Sequence, residues 1–341
     1  MKTTTIHPKT LRQAVGAGDI DVARRLLDAG ADANAEGYPV LQLAAEQGDP
    51  AMIQFLVARG AALDGRNPRR RTALMIAAAR ALPDAVEALL ALGCDADAHD
   101  SAGTSALMFA AQVDSRDAAL CVKKIADKSN VSATNNKGRS ALHVAADHGA
   151  LESVEFLARV ADLSKQDENG QTAFVCAMFR ASSGFTEKNR GAEILGVLMQ
   201  RASPEIVNAQ DNRGRTALVD ALKKGLASAA RALTPITDCS IVDEEGKTAL
   251  NVAAAIARSV IRPAAESKKT AWELVEMIAE TAPDSALLRE AELGLDLSHC
   301  PRLGARTEAI KIRQAIGKNE DSVAHQRGEP APREDRSSRR L

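Results

Sequence analysis

The feature that most constrains the fold of this 341-residue chain is a short string of residues that recurs along it. The string is best preserved at Arg71–Ala78 (RTALMIAA) and Arg139–Ala146 (RSALHVAA), and a poorer copy begins near Leu11. Its apolar anchor returns after 33, 33, 35, 32, 44 and 32 residues, at Leu41, Leu74, Leu107, Leu142, Phe174, Leu218 and Leu250. A near-constant period of this length indicates a chain built from stacked structural repeats.

Each repeat is predicted to fold as a turn followed by two short helices. Asp100–Gly103 has the composition of a tight turn, because glycine readily adopts the positive φ that such turns require. Ser105 can cap the helix that follows, in which Leu107 and Ala111 lie four residues apart on one face. A second helix is predicted over residues 116–126. The equivalent capping residues of other copies are Thr72, Ser140, Thr172, Thr216 and Thr248.

The composition explains how such repeats can pack together. Alanine accounts for 66 of the 341 residues, whereas the aromatic residues make up only 2%. A single large core normally relies on bulky side chains for its buried area, so this composition disfavours one large sandwich or barrel. The alanine pairs of the recurring string instead let adjacent helices approach closely, since larger side chains would push the stack apart. Pro50 and Pro83 suit the first turn of second helices.

These residues resemble the ankyrin-repeat family, whose period is about 33 residues with a Thr-Pro-Leu-His-x-Ala-Ala-like core. The resemblance covers residues 9–282. Alanine replaces the usual proline in this chain, and His143 alone occupies the family's histidine position. The resemblance implies an all-α ankyrin-repeat solenoid of about eight helix-turn-helix units, some of them degenerate.

The domain organisation follows from where the repeats begin and end. Insertions interrupt the period at 182–191 and 258–269, and the simplest interpretation is loop growth that the stack tolerates. The residues after 316 have mixed charge and few bulky apolar side chains, which is typical of disorder. We therefore expect a lead-in over 1–8, an ankyrin-repeat domain over 9–282, a helical cap over 283–316 and a disordered tail over 317–341.

Catalytic and ligand-binding motifs are not apparent in the sequence. It contains no Gly-rich phosphate loop, no Gly-x-Ser-x-Gly, no His-Glu-x-x-His and no paired-cysteine motif. Asp95, Asp97 and Asp100 resemble a metal loop, but the repeat alignment places them in ordinary turns, where Asp commonly bonds the backbone. His143 and His148 are five residues apart, which is the wrong spacing for a zinc pair on one helix face. We expect no enzyme activity, no metal and no cofactor.

In the ankyrin-repeat family the partner binds the concave face, formed by the turn tips and the exposed side of the first helices. Aligned on those positions, this chain offers mostly basic residues. The resemblance implies a partner-binding set of Tyr38, Arg69, Arg71, Arg80, Lys137, Arg139, Arg213, Arg215, Lys223 and Lys224. Tyr38, the sole tyrosine, would supply an apolar anchor. Arg70 replaces the turn glycine, so its turn is expected to be atypical. The alternative is that these cations merely solvate exposed turns.

The predicted function is binding of a protein partner with an acidic surface or segment, as an adaptor, regulator or inhibitor. A second setting that fits the same surface is a secreted bacterial effector that acts on host proteins. Binding of nucleic acid along the basic residues is disfavoured, because 44 Lys and Arg are balanced by 45 Asp and Glu. A catalytic role for the divergent C-terminal region is the least favoured alternative.

The chain is expected to be a monomeric cytoplasmic protein. Its first ten residues lack the apolar segment of a signal peptide, and its apolar runs are too short to span a membrane. Five widely spaced cysteines indicate reduced, buried thiols. Non-classical secretion, or injection into a host cell, is compatible with the same features.

Overall fold

A computed structural model of the chain describes residues 8–34, 39–182, 191–259 and 265–281. Within these ranges the regular structure is helical, and the extended backbone is limited to three isolated bridges. The chain divides into two compact units, Met1–Arg213 and Gly214–Leu341. The prediction of an all-α fold is confirmed for the described residues.

The first unit consists of short helices that follow one another in pairs. They are α1 (Pro8–Gly16) with α2 (Ile20–Asp28), α3 (Val40–Gln47) with α4 (Pro50–Ala58), α5 (Ala73–Ala79) with α6 (Pro83–Ala91), α7 (Ala106–Ala111) with α8 (Arg116–Ala126), α9 (Ala141–His148) with α10 (Leu151–Val160), and α11 (Ala173–Ser182) with α12 (Gly191–Met199). A single turn of helix, α13 (Pro204–Val207), follows the last pair.

The second unit repeats the same pattern on a smaller scale. Its helices are α14 (Ala217–Lys223) with α15 (Ala227–Leu233), a 3₁₀ turn (Thr234–Ile236), and α16 (Ala249–Ser259) with α17 (Ala265–Thr281). None of the helices in the described ranges is long and apolar enough to cross a membrane.

The helix ends follow from local chemistry that the sequence already contains. Thr72 and Ser105 are N-caps, and their hydroxyl oxygens accept the backbone N–H three residues later at 3.4 Å. Pro50 and Pro83 occupy the first turns of α4 and α6, where the missing N–H costs nothing. Thr216 lies at the N-cap position of α14 without a side-chain capping bond. The predicted caps are thus mostly, but not uniformly, made.

Close packing of the first helices of successive pairs forms the core of the first unit. Helices α3, α5, α7, α9 and α11 contact each other in sequence, as do the second helices α4, α6, α8, α10 and α12. The alanine pairs lie where the first helices meet, and Ala77, Ala78, Ala110 and Ala111 are completely buried. The predicted role of alanine, to let thin repeats stack, is confirmed.

The turns between repeats share one hydrogen-bonding scheme. The first residue of each five-residue turn is Asp or Asn, and its Oδ1 accepts the backbone N–H groups of the third and fifth residues at 2.8–3.0 Å. The turns built in this way are Asn67–Arg71, Asp100–Thr104, Asn135–Arg139, Asp167–Gln171 and Asp243–Lys247. The fourth residue adopts a positive φ, and it is glycine in each of these turns except at Arg70, where φ is 61°.

A ladder of backbone hydrogen bonds joins neighbouring turns of the first unit. In each bond, the backbone N–H of the second residue of a turn donates to the backbone carbonyl of the third residue of the preceding turn. The bonds are Ser101 to Arg69 (3.3 Å), Asn136 to Ala102 (3.1 Å), Glu168 to Lys137 (2.9 Å) and Asn212 to Asn169 (3.0 Å). The turns are therefore held in a fixed register, and equivalent side chains recur at a regular spacing.

Several of the predicted segments lie partly or wholly outside the described residues. The predicted cap over 283–316, the tail over 317–341 and Tyr38 lie outside them. Helices α16 and α17 enter the predicted insertion 258–269 from both sides, ending at Ser259 and starting at Ala265. Residues 260–264 of this insertion, and residues 183–190 of the predicted insertion 182–191, lie outside the described residues.

Candidate functional site

The second and third residues of each five-residue turn are here called the turn tip. Within the first unit the third residue is basic in alternate turns, at Arg69, Lys137 and Arg213. All three are exposed. Arg213 lies in a further turn that begins at Asp211, whose Oδ1 accepts the backbone N–H of Arg213 at 2.8 Å. Neighbouring helices pack about 8–10 Å apart, so alternate tips are separated by roughly 16–20 Å. The hydrogen-bonded ladder thus arranges three cations in one row.

These three side chains have no partner within the described residues. Arg69, Lys137 and Arg213 donate backbone N–H groups to the turn's Asp or Asn, but their side chains form no hydrogen bond or ion pair there. Their charges are therefore fully available to an external group. Exposed, unpaired cations on a fixed backbone favour encounter with an acidic partner.

Three other predicted arginines occupy the fifth turn position and are half-buried. Arg139 donates to Asp147 at 2.9 Å, and Arg215 pairs with buried Asp220 at 2.9 Å. The guanidinium of Arg71 lies over the ring of Phe109, 4.6 Å from its centroid. These side chains point back onto the helices and stabilise the turn, so they contribute less free charge than the sequence suggested.

The remaining predicted cations lie at the ends of first helices. Arg80 is exposed and forms an ion pair with Glu46 of the preceding repeat. Lys223 and Lys224 are exposed at the end of α14, and Lys223 lies 3.2 Å from Asp243. Burial alone would raise the pKa of Asp243, but hydrogen bonds from the Lys247 backbone and from Lys223 keep it below its usual value.

The residues that resembled a metal loop are engaged with the backbone. Asp95 accepts the N–H of Asp97 at 3.0 Å, and Asp97 accepts that of Asn130 at 2.7 Å. Asp100 accepts two N–H groups at 2.9 Å, as predicted for a turn residue. In the described part of the chain no cluster of three or more metal-ligating side chains occurs.

The cysteines of the described ranges are poor nucleophiles. Burial raises the pKa of Cys94 and Cys121 to about 12 and that of Cys176 to about 11. A thiol reacts through its thiolate, so these side chains are inert near neutral pH. Cys121, Cys176 and Cys239 are buried, as predicted, whereas Cys94 is only partly buried.

Comparison with known protein families identifies the type of repeat. A family model of ankyrin repeats matches residues 11–100, 74–167 and 107–189, which together span 179 of the 341 residues. The chain belongs to the ankyrin-repeat family. Ankyrin repeats are generally protein–protein interaction modules and typically non-enzymatic scaffolds.

A solved structure and a sequence search complete the comparison. The ankyrin repeat domain of Bcl-3, a unique member of the IkappaB protein family, matches with a TM-score of 0.53 and 24% identity. The match covers 76% of this chain and 96% of that domain's chain, and at this identity it shows the fold alone. No curated protein sequence matches this chain significantly.

Within the ankyrin repeats, His143 has the structural role expected of the family's histidine. It is 1% exposed, and its Nδ1 lies 2.8 Å from the Ser140 hydroxyl while its Nε2 lies 3.0 Å from the carbonyl oxygen of Gln171. The ring thus joins the start of α9 to the next turn. Burial lowers the pKa of His143, although its hydrogen bond to the Gln171 carbonyl acts in the opposite direction.

Gln42 performs the same task in an earlier repeat, and the sequence analysis missed it. Its Nε2 donates to the carbonyls of Gly65 and Arg71, both at 2.9 Å. Its position in the repeat could have identified Gln42, because Gln42 follows the anchor Leu41 as His143 follows Leu142. Glutamine therefore replaces the ankyrin histidine as a donor to the next turn.

This equivalence predicts how stability depends on pH. The unfolded chain protonates His143 near 6.5, whereas the buried ring resists protonation, so stability is retained above that pH and falls as pH decreases below it. His143→Gln should remove this part of the dependence while keeping the donor to Gln171. The measurement is the urea midpoint at pH 7.5 and 5.5 for both proteins. Equal losses in wild type and variant would contradict the assignment.

Proposed function

We propose that this ankyrin-repeat chain binds a protein partner through the turn-tip surface of its first unit, defined by Arg69, Lys137 and Arg213. In this family that side of the repeats is the concave face. The observation that carries the proposal is the row of three exposed cations without a partner in the described ranges. An acidic segment of the partner would neutralise them through charge-assisted hydrogen bonds.

The spacing of the row defines the segment that would fit it. Alternate tips are roughly 16–20 Å apart, and an extended chain rises about 3.3 Å per residue. Acidic residues five or six positions apart in an extended segment would therefore reach successive cations. The tips are fixed by the backbone ladder, so little ordering entropy is lost on their side of the interface.

The charge pattern favours a protein over a nucleic acid as the partner. Glu168 occupies a tip between Lys137 and Arg213, and Glu46 neutralises Arg80. A polyphosphate backbone would meet these carboxylates, whereas a peptide can place neutral residues opposite them. The proposed role is that of a non-enzymatic adaptor, regulator or inhibitor.

The test is to locate the contact surface on the full chain. A partner captured by the immobilised protein would be purified, and hydrogen exchange of the chain compared with and without it. We expect protection to concentrate in the turns Asn67–Arg71 and Asn135–Arg139 and in the turn that begins at Asp211, while the second helices α8 and α10 exchange as before. Protection confined to the second helices would place the interface elsewhere and overturn the proposal.

A further inference from the structure

The turn Asn67–Arg71 differs from the other turns that share its scheme. It carries three consecutive arginines, and Arg70 adopts a φ of 61° where the others have glycine. A cavity of about 330 Å³ lies beside it, lined by Asn67, Pro68, Arg69, Arg71 and Ile76. The lining thus combines polar or charged side chains with the apolar side chains of Pro68 and Ile76.

The guanidinium of Arg71 is the unusual group in this cavity. Its Nε is buried and has no hydrogen-bond partner. Within the described residues the group contacts Asp100 only at 3.5 Å and otherwise lies over Phe109. The Arg71 side chain is 33% exposed, so part of the guanidinium remains accessible. An arginine has five N–H donors, and within the described residues this guanidinium makes no hydrogen bond and forms one ion pair, the 3.5 Å contact with Asp100.

The equivalent arginine two turns later shows that the position does not force this state. Arg139 also occupies the fifth turn position, but it donates to Asp147 at 2.9 Å and approaches the carbonyl of His143 at 3.4 Å. Alanine stands at the position in α5 that corresponds to Asp147, namely Ala79. Arg71 therefore lacks the close 2.9 Å carboxylate contact of Arg139, although the Nε of both arginines is buried without a hydrogen-bond partner among the described residues.

Arg71 is nevertheless held firmly in place. Its carbonyl accepts a hydrogen bond from Gln42 at 2.9 Å, and its backbone N–H donates to Asn67 at 3.0 Å. Phe109 supports one face of the guanidinium. A planar cation fixed in this way, with unused donors beside a cavity, is preorganised for an oxyanion.

We infer that the cavity at Asn67–Arg71 receives a glutamate side chain of the acidic segment, an inference that rests on the proposed function. The carboxylate would accept two parallel N–H groups from Arg71, with Arg69 as a second cation. The methylene groups of glutamate would pack on Ile76 and Pro68. The cavity would thereby fix the register of the segment along the turn-tip surface.

The probe for this site is N-acetyl-glutamate N-methylamide, titrated into the full chain and observed by NMR. We expect saturable shifts of the Arg71 Nε–Hε signal and the Ile76 methyl signal, with half-saturation in the millimolar range. The glutamine analogue should produce no such shifts, because it lacks the charge. Equal shifts at Arg139 and Val144 would indicate non-specific ion binding and overturn the inference, as would no shift at all.

Two variants and a second probe sharpen the test. Arg71→Lys keeps the charge but loses the planar fork, and should weaken the probe at least ~10-fold. Arg69→Gln leaves Arg71 and the fold in place, and should weaken it about three-fold; unchanged binding in both variants would contradict the site. Tighter binding of the phosphoserine analogue by ~10-fold or more would overturn the choice of glutamate.

The outcome separates this inference from the proposed function. Loss of the probe titration with intact partner binding at the turn tips would remove the glutamate site alone. If the probe binds but no protein partner protects the turn tips, the glutamate site is supported and the proposed function is contradicted. As a matched control, Arg159→Gln changes an exposed arginine on a second helix and should leave the titration unchanged.

Discussion

Replacing Gly170 with alanine is expected to lower the free energy of unfolding of the first unit by about 2–5 kcal/mol. Gly170 has a φ of +75°, and a Cβ there would lie 2.6 Å from the backbone nitrogen of Asn212 in the next turn. Two costs combine, namely about 1–2 kcal/mol for the left-handed conformation and about 1–3 kcal/mol for overpacking. The measurement is chemical denaturation followed by circular dichroism.

Gly93→Ala provides the matched control for this prediction. Gly93 also has a positive φ, +84°, but a Cβ added there meets no atom within 4 Å. The Gly93→Ala substitution should lower the free energy of unfolding by only about 1–2 kcal/mol, from the backbone conformation alone. If both variants lose the same stability, close packing between neighbouring turns is not what requires glycine at position 170.

Much of the fold was predictable because its determinants are local. The second helix after the predicted turn Asp100–Gly103 was expected over residues 116–126, and α8 has these bounds. Ser105, Pro50 and Pro83 lie at helix starts as predicted, since capping and proline geometry depend on a few neighbouring residues. The periodic anchor then determined how these elements stack.

The candidate site was less predictable, because it depends on contacts between repeats. The spacing placed Arg69 and Arg71 in the same turn, but only the stack determines that Arg69 is exposed while Arg71 lies over Phe109. Arg139 and Arg215 likewise pair with Asp147 and Asp220 in ways that the repeat alone does not specify. The predicted binding arginines therefore include exposed ones such as Arg69 and ones that pair with carboxylates of the fold such as Arg139.

Gln42 shows a different limit of sequence reasoning. The family pattern drew attention to histidine at this position, so glutamine looked like an eroded copy. In the structure its amide makes two 2.9 Å hydrogen bonds to the next turn. A pattern based on residue identity misses a replacement that preserves the donor, whereas a pattern based on hydrogen-bonding capacity would have found it.

Reversing the three free charges is expected to have the largest effect on binding. In Arg69→Glu/Lys137→Glu/Arg213→Glu each lost charge-assisted contact should cost about 1.5 kcal/mol or more, roughly ten-fold in affinity. The sites are roughly 16–20 Å apart, beyond the range in which substitutions normally couple, so the losses should add to about 1000-fold. Stability should change little, because these side chains make no contact that the fold needs.

A control with the same change in net charge isolates the turn-tip surface. Arg116→Glu/Lys128→Glu/Arg159→Glu alters three exposed cations on or beside second helices, outside the proposed interface. Its effect on affinity should stay within about three-fold, which reflects only the altered long-range field.

The most direct test of the account is therefore the dissociation constant of the captured partner for these three proteins, measured by calorimetry at one salt concentration. The account predicts a loss of at least ~100-fold for the turn-tip variant and near wild-type affinity for the control. Equal affinities for the turn-tip variant and the wild type would contradict it, because the free cations would then only solvate the turns.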